Sequence, residues 1–405
     1  MRIMVLNCGS SSLKYSVLGF PGGGELARGE AQRVGAKTSE PARIVHHARE
    51  RTRTVFVEMP DHATAFEQIT RVLADDDVAA PDAIAHRVVH GGRHFTGSVC
   101  FDQNVEQALD ELVKLAPIHN PPAISLIHTC ALCHPSLPQV LVFDTSFHST
   151  IPPQARTYAL DEDLRLRLGL RKYGYHGISH QYVTGVAAAF LRRPLAELNA
   201  VSCHLGSGGA SLCAIRSGHS VDNTMGYTPL QGLMMSTRCG DLDPAVTLRL
   251  LALREGSVDG VESLLNRRSG VLGVSGRSAD LRDLIGAQEE AAHSLAVQVY
   301  LWRLRKYLGA YLVVAAPAQA VIFTDTLGES VPAVRAAVCS GLEELGVDLD
   351  PEANADPGAL PADVATATSP VRILVVPTNE ELAIGREAYR LLTAQAAPAP
   401  EAVAS

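Results

Sequence analysis

The feature that most constrains the fold of this chain is a short pattern that occurs twice, once at the start of each half. An apolar strand runs into a turn rich in glycine and serine and continues into a second strand, at residues 3–17 and again at 200–215. One such hairpin is weak evidence, because ordinary hairpins also carry glycine and serine. Two copies predict a duplicated domain within the 405 residues of the chain.

Both turns also have the composition of a phosphate-binding hairpin. Small residues let backbone N–H groups approach phosphate oxygens and point at them as a cluster of donors. The candidates are Ser10, Ser12 and Lys14 in the first copy, and His204, Gly206, Ser207 and Gly208 in the second. A polar hairpin with a surface lysine is the alternative for the first copy.

The apolar runs predict a mixed α/β fold. Strands are predicted at 3–6, 15–20, 83–89 and 140–143, and helices at 63–73, 105–114 and 291–312. The apolar stretch 308–323 is interrupted by Pro317 and is short for a membrane span, so we expect a core helix followed by a buried strand. Segment 350–370, rich in Ala, Pro and Asp, predicts an exposed loop.

The charge balance argues against nucleic acid as the main partner. The chain has 35 basic and 43 acidic residues, giving a formal net charge of -8. It lacks a run of Lys or Arg that could follow a phosphate backbone. The first residues enter a strand without a basic region or a cleavage pattern, so we expect a cytoplasmic protein with no membrane partner.

Two arginines stand where they could hold a phosphoryl group. Arg87 lies at the end of an apolar strand, just before the glycines at 91 and 92, and strand ends in α/β folds are where ligands bind. Arg238 lies in a loop of the second half. Two guanidinium groups could clamp an equatorial phosphoryl group bidentately. An exposed arginine that caps its strand is the alternative for Arg87.

Acids and a histidine complete the set of candidate groups. Asp144 ends the strand 140–143, and Glu380 stands at a strand-to-helix junction. Such carboxylates suit Mg²⁺, which prefers oxygen ligands, although an acid at a helix N-terminus is also favoured by the helix dipole. His176 lies in a glycine-rich turn four residues before His180, where histidines that only pack or cap are the alternative.

Taken together, the motifs resemble the acetate kinase family. They occur in family order over residues 3 to about 392, at 7–14, 86–92, 116–121, 143–148, 173–177, 225–229, 233–244 and 377–381. The resemblance implies the duplicated actin/Hsp70/sugar-kinase (ribonuclease H-like) fold with an interdomain cleft. Residues 1–148 and about 382–405 would form an N-terminal domain, to which the C-terminal helix returns, and 149–381 a nucleotide-binding domain.

The resemblance also implies the reaction: reversible transfer of the ATP γ-phosphoryl group to acetate, giving acetyl phosphate and ADP. The transfer would be a direct in-line attack with Mg²⁺ or Mn²⁺, in a homodimer. Arg87 and Arg238 would stabilise the moving phosphoryl group, and His176 would be hydrogen-bonded to it. Asp144 would lie near the acetate and the metal. Asn7 and Glu380 would be the metal-side residues.

Two pockets follow from the same resemblance. The acetate would bind Arg87 and an apolar pocket made of Val89, Ile118, Tyr175 and Pro229. The nucleotide and its phosphates would contact Ser10, Ser12, Lys14, His204, Gly206, Ser207, Gly208, Asp280, Arg282, Asp325 and Gly328.

The chain departs from the family pattern at three functional places. Ser207 replaces an asparagine, which should weaken a phosphate contact. Tyr175 replaces a phenylalanine, and its hydroxyl needs a partner if buried. This leaves a kinase for propionate or butyrate as an alternative, and Tyr175→Phe is expected to change the preference between acetate and propionate.

The adenosine motif departs most, because Asp325 stands where the family has glycine or alanine, and Thr326 where it has glycine. Three consequences are open: weaker ATP binding, another nucleotide, or a compact donor such as pyrophosphate. We favour ATP because Asp280, Arg282 and Gly328 are retained. A protein of the same fold that binds nucleotide without transferring phosphate is the alternative from another class.

Overall fold

The computed structural model describes residues 1–36, 40–115, 120–253, 257–285 and 291–396. The chain divides into two compact units, Met1–Ser146 with Asn379–Ser405, and Phe147–Thr378. The sequence placed these boundaries at 148 and 381. Glu380 therefore belongs to the first unit, on the other side of the boundary from where the sequence placed it.

The first unit contains an eight-stranded sheet. Its strands are β1 (Arg2–Cys8), β2 (Ser12–Gly19), β3 (Gly24–Gln32), β4 (Arg43–Ala48), β5 (Arg51–Phe56), β6 (Ala83–Val88), β7 (Val99–Cys100) and β8 (Gln139–Phe143). The order across the sheet is β5-β4-β3-β2-β1-β6-β8-β7. Strands β1 to β5 form an antiparallel meander, whereas β1, β6 and β8 run parallel.

Three helices and the C-terminal helix surround this sheet. They are α1 (His62–Asp75), α2 (Gln103–Leu115), α3 (Asn120–Cys133) and the C-terminal helix Glu380–Ala396. Helix α1 begins at Asp61, whose carboxylate accepts a hydrogen bond from the Thr64 amide, and it buries Phe66 and Ile69 in the core with Met4 and Leu6. Helix α3 packs on α1 and on β1 and β6, and the C-terminal helix packs on β1, β2, β6 and β8.

The second unit contains a six-stranded sheet. Its strands are β9 (Ala200–Leu205), β10 (Ala210–Arg216), β11 (His219–Asn223), β12 (Ala320–Thr324), β13 (Ala362–Asp363) and β14 (Arg372–Val375). The order is β11-β10-β9-β12-β14-β13. Strand β10 is antiparallel to both neighbours, while β9, β12 and β14 run parallel.

The helices of the second unit are α4 (Pro153–Arg156), α5 (Glu162–Leu168), α6 (Gly177–Phe190), α7 (Pro244–Ala252), α8 (Val258–Arg267), α9 (Gly270–Ser275), α10 (Leu281–Ile285), α11 (Ala291–Val314), α12 (Asp325–Ser330), α13 (Pro332–Cys339) and α14 (Pro351–Ala355). Short 3₁₀ turns lie at Ser146–Thr150, Leu195–Glu197 and Glu343–Leu345. Helix α6 packs on β9 and β12, and the long helix α11 packs on β9, β10 and β11.

The two sheets share one topology. In the first, β3-β2-β1-β6-β8 consists of an antiparallel hairpin, a third antiparallel strand and two parallel strands. In the second, β11-β10-β9-β12-β14 repeats this order and these directions. The predicted α/β duplication is thus confirmed, and the two glycine/serine turns occupy the same place in each repeat.

The structure confirms the predicted strands and helices and corrects one segment. The stretch 308–323 is the end of α11 followed by the buried strand β12, as expected, and no helix of the described residues is long and apolar enough to cross a membrane. The prediction of an exposed loop at 350–370 is wrong. Asp350 caps α14, and Arg335 donates hydrogen bonds to the side chain and the backbone carbonyl of the buried Asn354. This ordered segment also contains β13.

Candidate active site

Four polar side chains of the first unit meet at one end of its parallel strands. Asn7 and Arg87 are the penultimate residues of β1 and β6, and Asp144 directly follows β8. Because these strands are parallel and adjacent, their carboxyl ends lie at the same sheet edge, the usual ligand side of such a sheet. Glu380 joins them from the first residue of the C-terminal helix.

Arg87 is the centre of this group. Its Nη2 lies 2.5 Å from Oδ2 of Asp144 and its Nε 3.7 Å from Oε2 of Glu380. Its Nη1 donates to Oδ1 of Asn7 at 3.2 Å. Burial alone would lower the pKa of Arg87, but the carboxylates of Asp144 and Glu380 outweigh burial and raise it. The guanidinium is therefore charged, and the 1% exposed Asp144 fixes its orientation.

The same residues offer oxygen atoms to a metal ion. Asn7, Asp144 and Glu380 supply one amide and two carboxylate groups, which are the hard donors that Mg²⁺ prefers. In the described ranges, no group of three His, Cys, Asp or Glu side chains forms a dedicated metal cage. Mg²⁺ usually keeps waters and takes substrate phosphates as further ligands, so this sparse donor set fits it.

The turn of the first hairpin is tight and carries the remaining candidates of this unit. The Gly9 amide donates to the Ser12 carbonyl at 2.9 Å, and a Cβ at Gly9 would lie 2.9 Å from Oγ of Ser12. Ser10 and Lys14 are exposed, and Lys14 pairs with Asn7 across the hairpin. The cation and the hydroxyl at the turn are thus accessible to an anion.

In the second unit, His176 and Arg238 face the turn of the other hairpin. A Cβ placed on Gly209 would lie 3.5 Å from Nε2 of His176 and 3.5 Å from Nη1 of Arg238. His176 adopts φ = 58° immediately before α6, and its Nδ1 lies 2.8 Å from Oγ of Ser211 on β10. This left-handed backbone turns the imidazole toward the hairpin.

Arg238 lacks a carboxylate partner within the part of the chain that the structure describes. Its Nη1 contacts the Pro229 carbonyl at 3.5 Å and Sδ of Met235 at 3.7 Å. Burial lowers the pKa of Arg238. A half-buried guanidinium held by neutral groups is suited to bind an anion from solution.

The second hairpin holds four of the predicted phosphate-contact residues, three of them in its turn. The Gly206 amide donates to the Gly209 carbonyl at 3.0 Å, and Ser236 donates to the Gly208 carbonyl at 3.1 Å. Ser207 and Gly208 are exposed at the tip of the turn. His204, at the end of β9, is only 5% exposed.

Asp325, the residue that departs from the family motif, lies against this turn. Its Oδ2 is 3.1 Å from Nε2 of His204 and would be 2.5 Å from a Cβ at Gly206. Burial raises the pKa of Asp325, but His204 and the hydrogen bonds from Thr326 outweigh burial and lower it. Its φ of +64° is the left-handed conformation that favours glycine. The second repeat therefore has a carboxylate beside its phosphate-type turn.

The other nucleotide candidates lie on short helices. Asp280 and Arg282 form an ion pair at 2.5 Å near the start of α10, with side chains 29% and 47% exposed. Gly328 is buried within α12, and its carbonyl accepts a hydrogen bond from Nη1 of Arg335 at 2.8 Å.

The candidates for the acyl pocket lie in both units. Val89 is half-buried in the first unit, and Pro229 is half-buried in the second. Tyr175, 2% exposed, donates its hydroxyl proton to the Tyr227 carbonyl at 2.8 Å, so the expected partner is present. Ile118 lies outside the described residues.

Two further residues hold these groups, and neither was predicted from the sequence. Nε2 of His148 lies 2.9 Å from the Tyr175 carbonyl, to which it donates, and burial lowers the pKa of His148 to about 4. A Cβ at Gly174, whose φ is +77°, would lie 2.7 Å from the His148 ring, which requires glycine there. The available signal was the end of the 143–148 motif, where His148 had no assigned role.

The second missed residue is Glu329 in α12. Its Oε1 accepts from the Asp325 amide at 2.7 Å and from the Thr378 amide at 3.0 Å. It therefore ties the start of α12 to the segment after β14, a contact between residues 49 apart that no local pattern reveals.

The duplicated sheets, each beginning with a glycine/serine hairpin, define the class: an α/β fold of the actin-like, sugar-kinase type. Within that class the chain belongs to the Acetokinase family, whose model matches residues 2–386.

Relatives and solved structures cover almost all of the chain. An acetate kinase of Dictyoglomus thermophilum is 43% identical over 97% of this chain and 99% of its own length. The crystal structure of Porphyromonas gingivalis acetate kinase is similar with a TM-score of 0.90 and 36% identity, over 96% of this chain and 99% of that one. A propionate kinase from Francisella tularensis gives 0.89 and 34%, over 95% and 98%. The overall fold alone thus does not separate the two acyl groups.

Proposed function

We propose that this protein transfers the γ-phosphoryl group of ATP to acetate, reversibly, giving acetyl phosphate and ADP. The observation that carries the proposal is the group around Arg87, in a chain that matches the Acetokinase family over nearly its whole length. A charged, oriented guanidinium beside oxygen donors for a metal is what phosphoryl transfer requires of a protein.

The proposed reaction is a direct in-line displacement. A carboxylate oxygen of acetate forms a bond to the γ-phosphorus while the bond from that phosphorus to the bridging oxygen of ADP breaks, and ADP leaves with the electron pair. Arg87 and Arg238 stabilise the charge on the equatorial oxygens, and His176 donates a hydrogen bond to one of them. Asp144 orients Arg87 before the reaction begins. Most of the rate enhancement then comes from such preorganised electrostatic stabilisation.

Mg²⁺, when bound, would neutralise charge on the donor phosphates. The residues that would hold it are Asn7 and Glu380, whose oxygen atoms lie around Arg87 together with those of Asp144. The phosphates of ATP would meet Ser10, Ser12 and Lys14 and the turn 206–208, with Asp280, Arg282 and Gly328 nearer the adenosine. The resemblance implies a homodimer.

Trapping of acyl phosphate with hydroxylamine tests the proposal directly. Purified protein with Mg²⁺ is assayed with ATP, GTP or pyrophosphate against acetate, propionate and butyrate. We expect hydroxamate from ATP and acetate, and a loss of kcat of about 10²- to 10³-fold in Arg87→Ala and Arg238→Ala.

The matched control is Arg390→Ala, which removes an exposed arginine paired with Glu387 on the C-terminal helix and should leave the rate unchanged. If no combination of donor and carboxylate gives hydroxamate, the proposal is contradicted. If pyrophosphate is the only donor that gives activity, the proposed acceptor stands and the proposed donor, ATP, is wrong.

A further inference from the structure

A buried chain of hydroxyls and imidazoles ends at His176. Oγ of Ser211 lies 2.8 Å from Nδ1 of His176 and 2.9 Å from Nε2 of His180. The far nitrogen of His180, Nδ1, lies 2.9 Å from Oγ of Ser202 on β9. Ser202, His180 and Ser211 are each fully buried.

The number of protons available for hydrogen bonds in this series of side chains is limited. His180 is neutral, because burial lowers its pKa well below the ordinary value, and a neutral imidazole has one N–H and one bare nitrogen. Ser211 has one hydroxyl proton and two imidazole neighbours. If it donates to one ring nitrogen, the other must donate to it for both contacts to be hydrogen bonds.

Two directions of donation satisfy Ser211, and Ser202 distinguishes them. In one, Ser202 donates to His180, His180 donates from Nε2 to Ser211, and Ser211 donates to Nδ1 of His176. In the reverse direction His180 donates to Ser202, and the proton of the Ser202 hydroxyl then has no acceptor among the described residues. A buried hydroxyl proton without an acceptor is destabilising, so the first direction is the stable one.

We propose that Ser202, His180 and Ser211 form a one-directional hydrogen-bond relay that fixes the tautomer of His176, with its proton on Nε2. That nitrogen faces the turn of the second hairpin and is the atom from which a neutral His176 would donate to a phosphoryl oxygen. This role in transfer rests on the proposed function, whereas the tautomer itself does not. Ser211 and His180 are positioning residues, because they act only through His176.

The tautomer is measured in the native protein, without substrates, by long-range ¹H–¹⁵N correlation spectra of ¹⁵N-histidine-labelled protein. These spectra separate protonated from bare ring nitrogens, and a His176→Asn sample assigns the signal among the 15 histidines. We expect a bare Nδ1 and a protonated Nε2 at His176, and the same at His180. A protonated Nδ1 on His176 overturns the relay.

Two variants test the relay at increasing distance from His176. Ser211→Ala should lower kcat about five- to tenfold, the equivalent of one hydrogen bond, with the KM values for ATP and acetate within about twofold. Ser202→Ala, which does not touch His176, should make the Nδ1-protonated form of His176 detectable. A purely structural serine at 202 would not change that tautomer.

Ser220→Ala is the matched control. Ser220 is equally buried and its Oγ lies 2.8 Å from Nδ1 of another histidine, His148, outside the relay. It should leave the His176 tautomer unchanged. If Ser202→Ala shows the same His176 tautomer as the native protein, the relay is contradicted. The predicted tautomer in a protein that forms no hydroxamate would contradict the proposed function and leave the relay standing.

Discussion

The hydroxyl of Tyr175 belongs to a side chain that we propose to line the acyl pocket. The residue is buried, and its hydroxyl proton is used by the Tyr227 carbonyl at 2.8 Å, so the hydroxyl is directed toward backbone and not left unpaired. Its backbone is also held, because the Tyr175 carbonyl accepts from Nε2 of His148. A fixed ring edge can define the size of an acyl pocket, whereas a mobile one cannot.

Tyr175→Phe tests this assignment. We expect the ratio of the KM values for acetate and propionate to change, because the ring loses the hydrogen bond that fixes its position. The free energy of unfolding should fall by about 1 kcal/mol, since the Tyr227 carbonyl loses its donor. Initial rates over a range of each carboxylate give the ratio, and urea unfolding gives the stability.

Tyr173→Phe is the control for this prediction. Tyr173 lies in the same turn, is 3% exposed and donates its hydroxyl to the Gly169 carbonyl at 3.1 Å. Its loss should cost similar stability and leave the KM ratio unchanged. An unchanged ratio in Tyr175→Phe would show that this position does not set acyl preference.

Which single residues could be predicted depended on whether their role is local. Arg87 and Asp144 stand at strand ends that the apolar pattern reveals, and the structure brings them within 2.5 Å of each other. The partner of the Tyr175 hydroxyl lies 52 residues away in the chain. No periodicity links such positions, so the sequence indicated that a partner was needed but not which one.

Among the elements, the junction of β12 and α12 is unusual because it has a charged residue where the family has glycine or alanine. A non-glycine residue at φ = +64° costs of the order of 1 kcal/mol. The 3.1 Å contact with Nε2 of His204 and the hydrogen bonds from Thr326 stabilise Asp325 in this conformation. The same carboxylate lies beside Gly206, where phosphate oxygens would otherwise meet backbone amides.

Asp325→Gly should therefore tighten the use of ATP. Removing a like charge near the phosphates is worth roughly 1 kcal/mol, so we expect the KM for ATP to fall about fivefold. Stability should change little, because relief of the left-handed backbone offsets the lost contact with His204. Initial rates at saturating acetate give the KM.

Asp325→Asn separates charge from bulk in this prediction. Asparagine tolerates the left-handed conformation and has almost the same size, but it carries no charge. If charge sets the affinity, both variants should lower the KM, and if bulk does, only glycine should. A KM for ATP that rises in both variants would mean that Asp325 assists nucleotide binding.

Segment 350–370 shows where prediction of elements from composition fails. Its Ala, Pro and Asp content is typical of exposed loops. It is nevertheless ordered by Arg335, which is fully buried and donates to Oδ1 and to the carbonyl of Asn354 at 2.7 and 2.8 Å. These hydrogen bonds come from a residue outside the segment, so the composition of the segment could not predict them.

At the scale of the whole molecule, the duplication was the easiest property to predict and buried ionisable groups the hardest. Each repeat begins with a local hairpin. A hairpin can be predicted from the sequence because its two strands are adjacent in the chain. Burial of a histidine depends on the complete fold of its unit. His86 in the first unit and His148 and His180 in the second are each at most 2% exposed.

Because these three histidines are buried, we expect the protein to lose stability in mild acid. Burial lowers the pKa of His86 and of His148 from 6.5 to about 4, and lowers that of His180 well below 6.5. Between the two values the unfolded chain binds protons that the folded protein does not, so stability falls as pH decreases from 6.5 toward 4 and is constant above 6.5 as far as these groups are concerned.

The expected loss is about 2 kcal/mol for each such histidine between pH 6.5 and about pH 5, because one pKa unit corresponds to about 1.4 kcal/mol. His86→Gln keeps an amide near Oε1 of Gln139, which His86 contacts at 2.7 Å, and removes the titration. It should reduce the loss over this range by about 2 kcal/mol in urea unfolding at a series of pH values. Ile84→Val, on the same strand, should lower stability by about 1 kcal/mol at every pH and keep the slope. An unchanged slope in His86→Gln would mean that the folded protein accommodates a charged imidazole at this site.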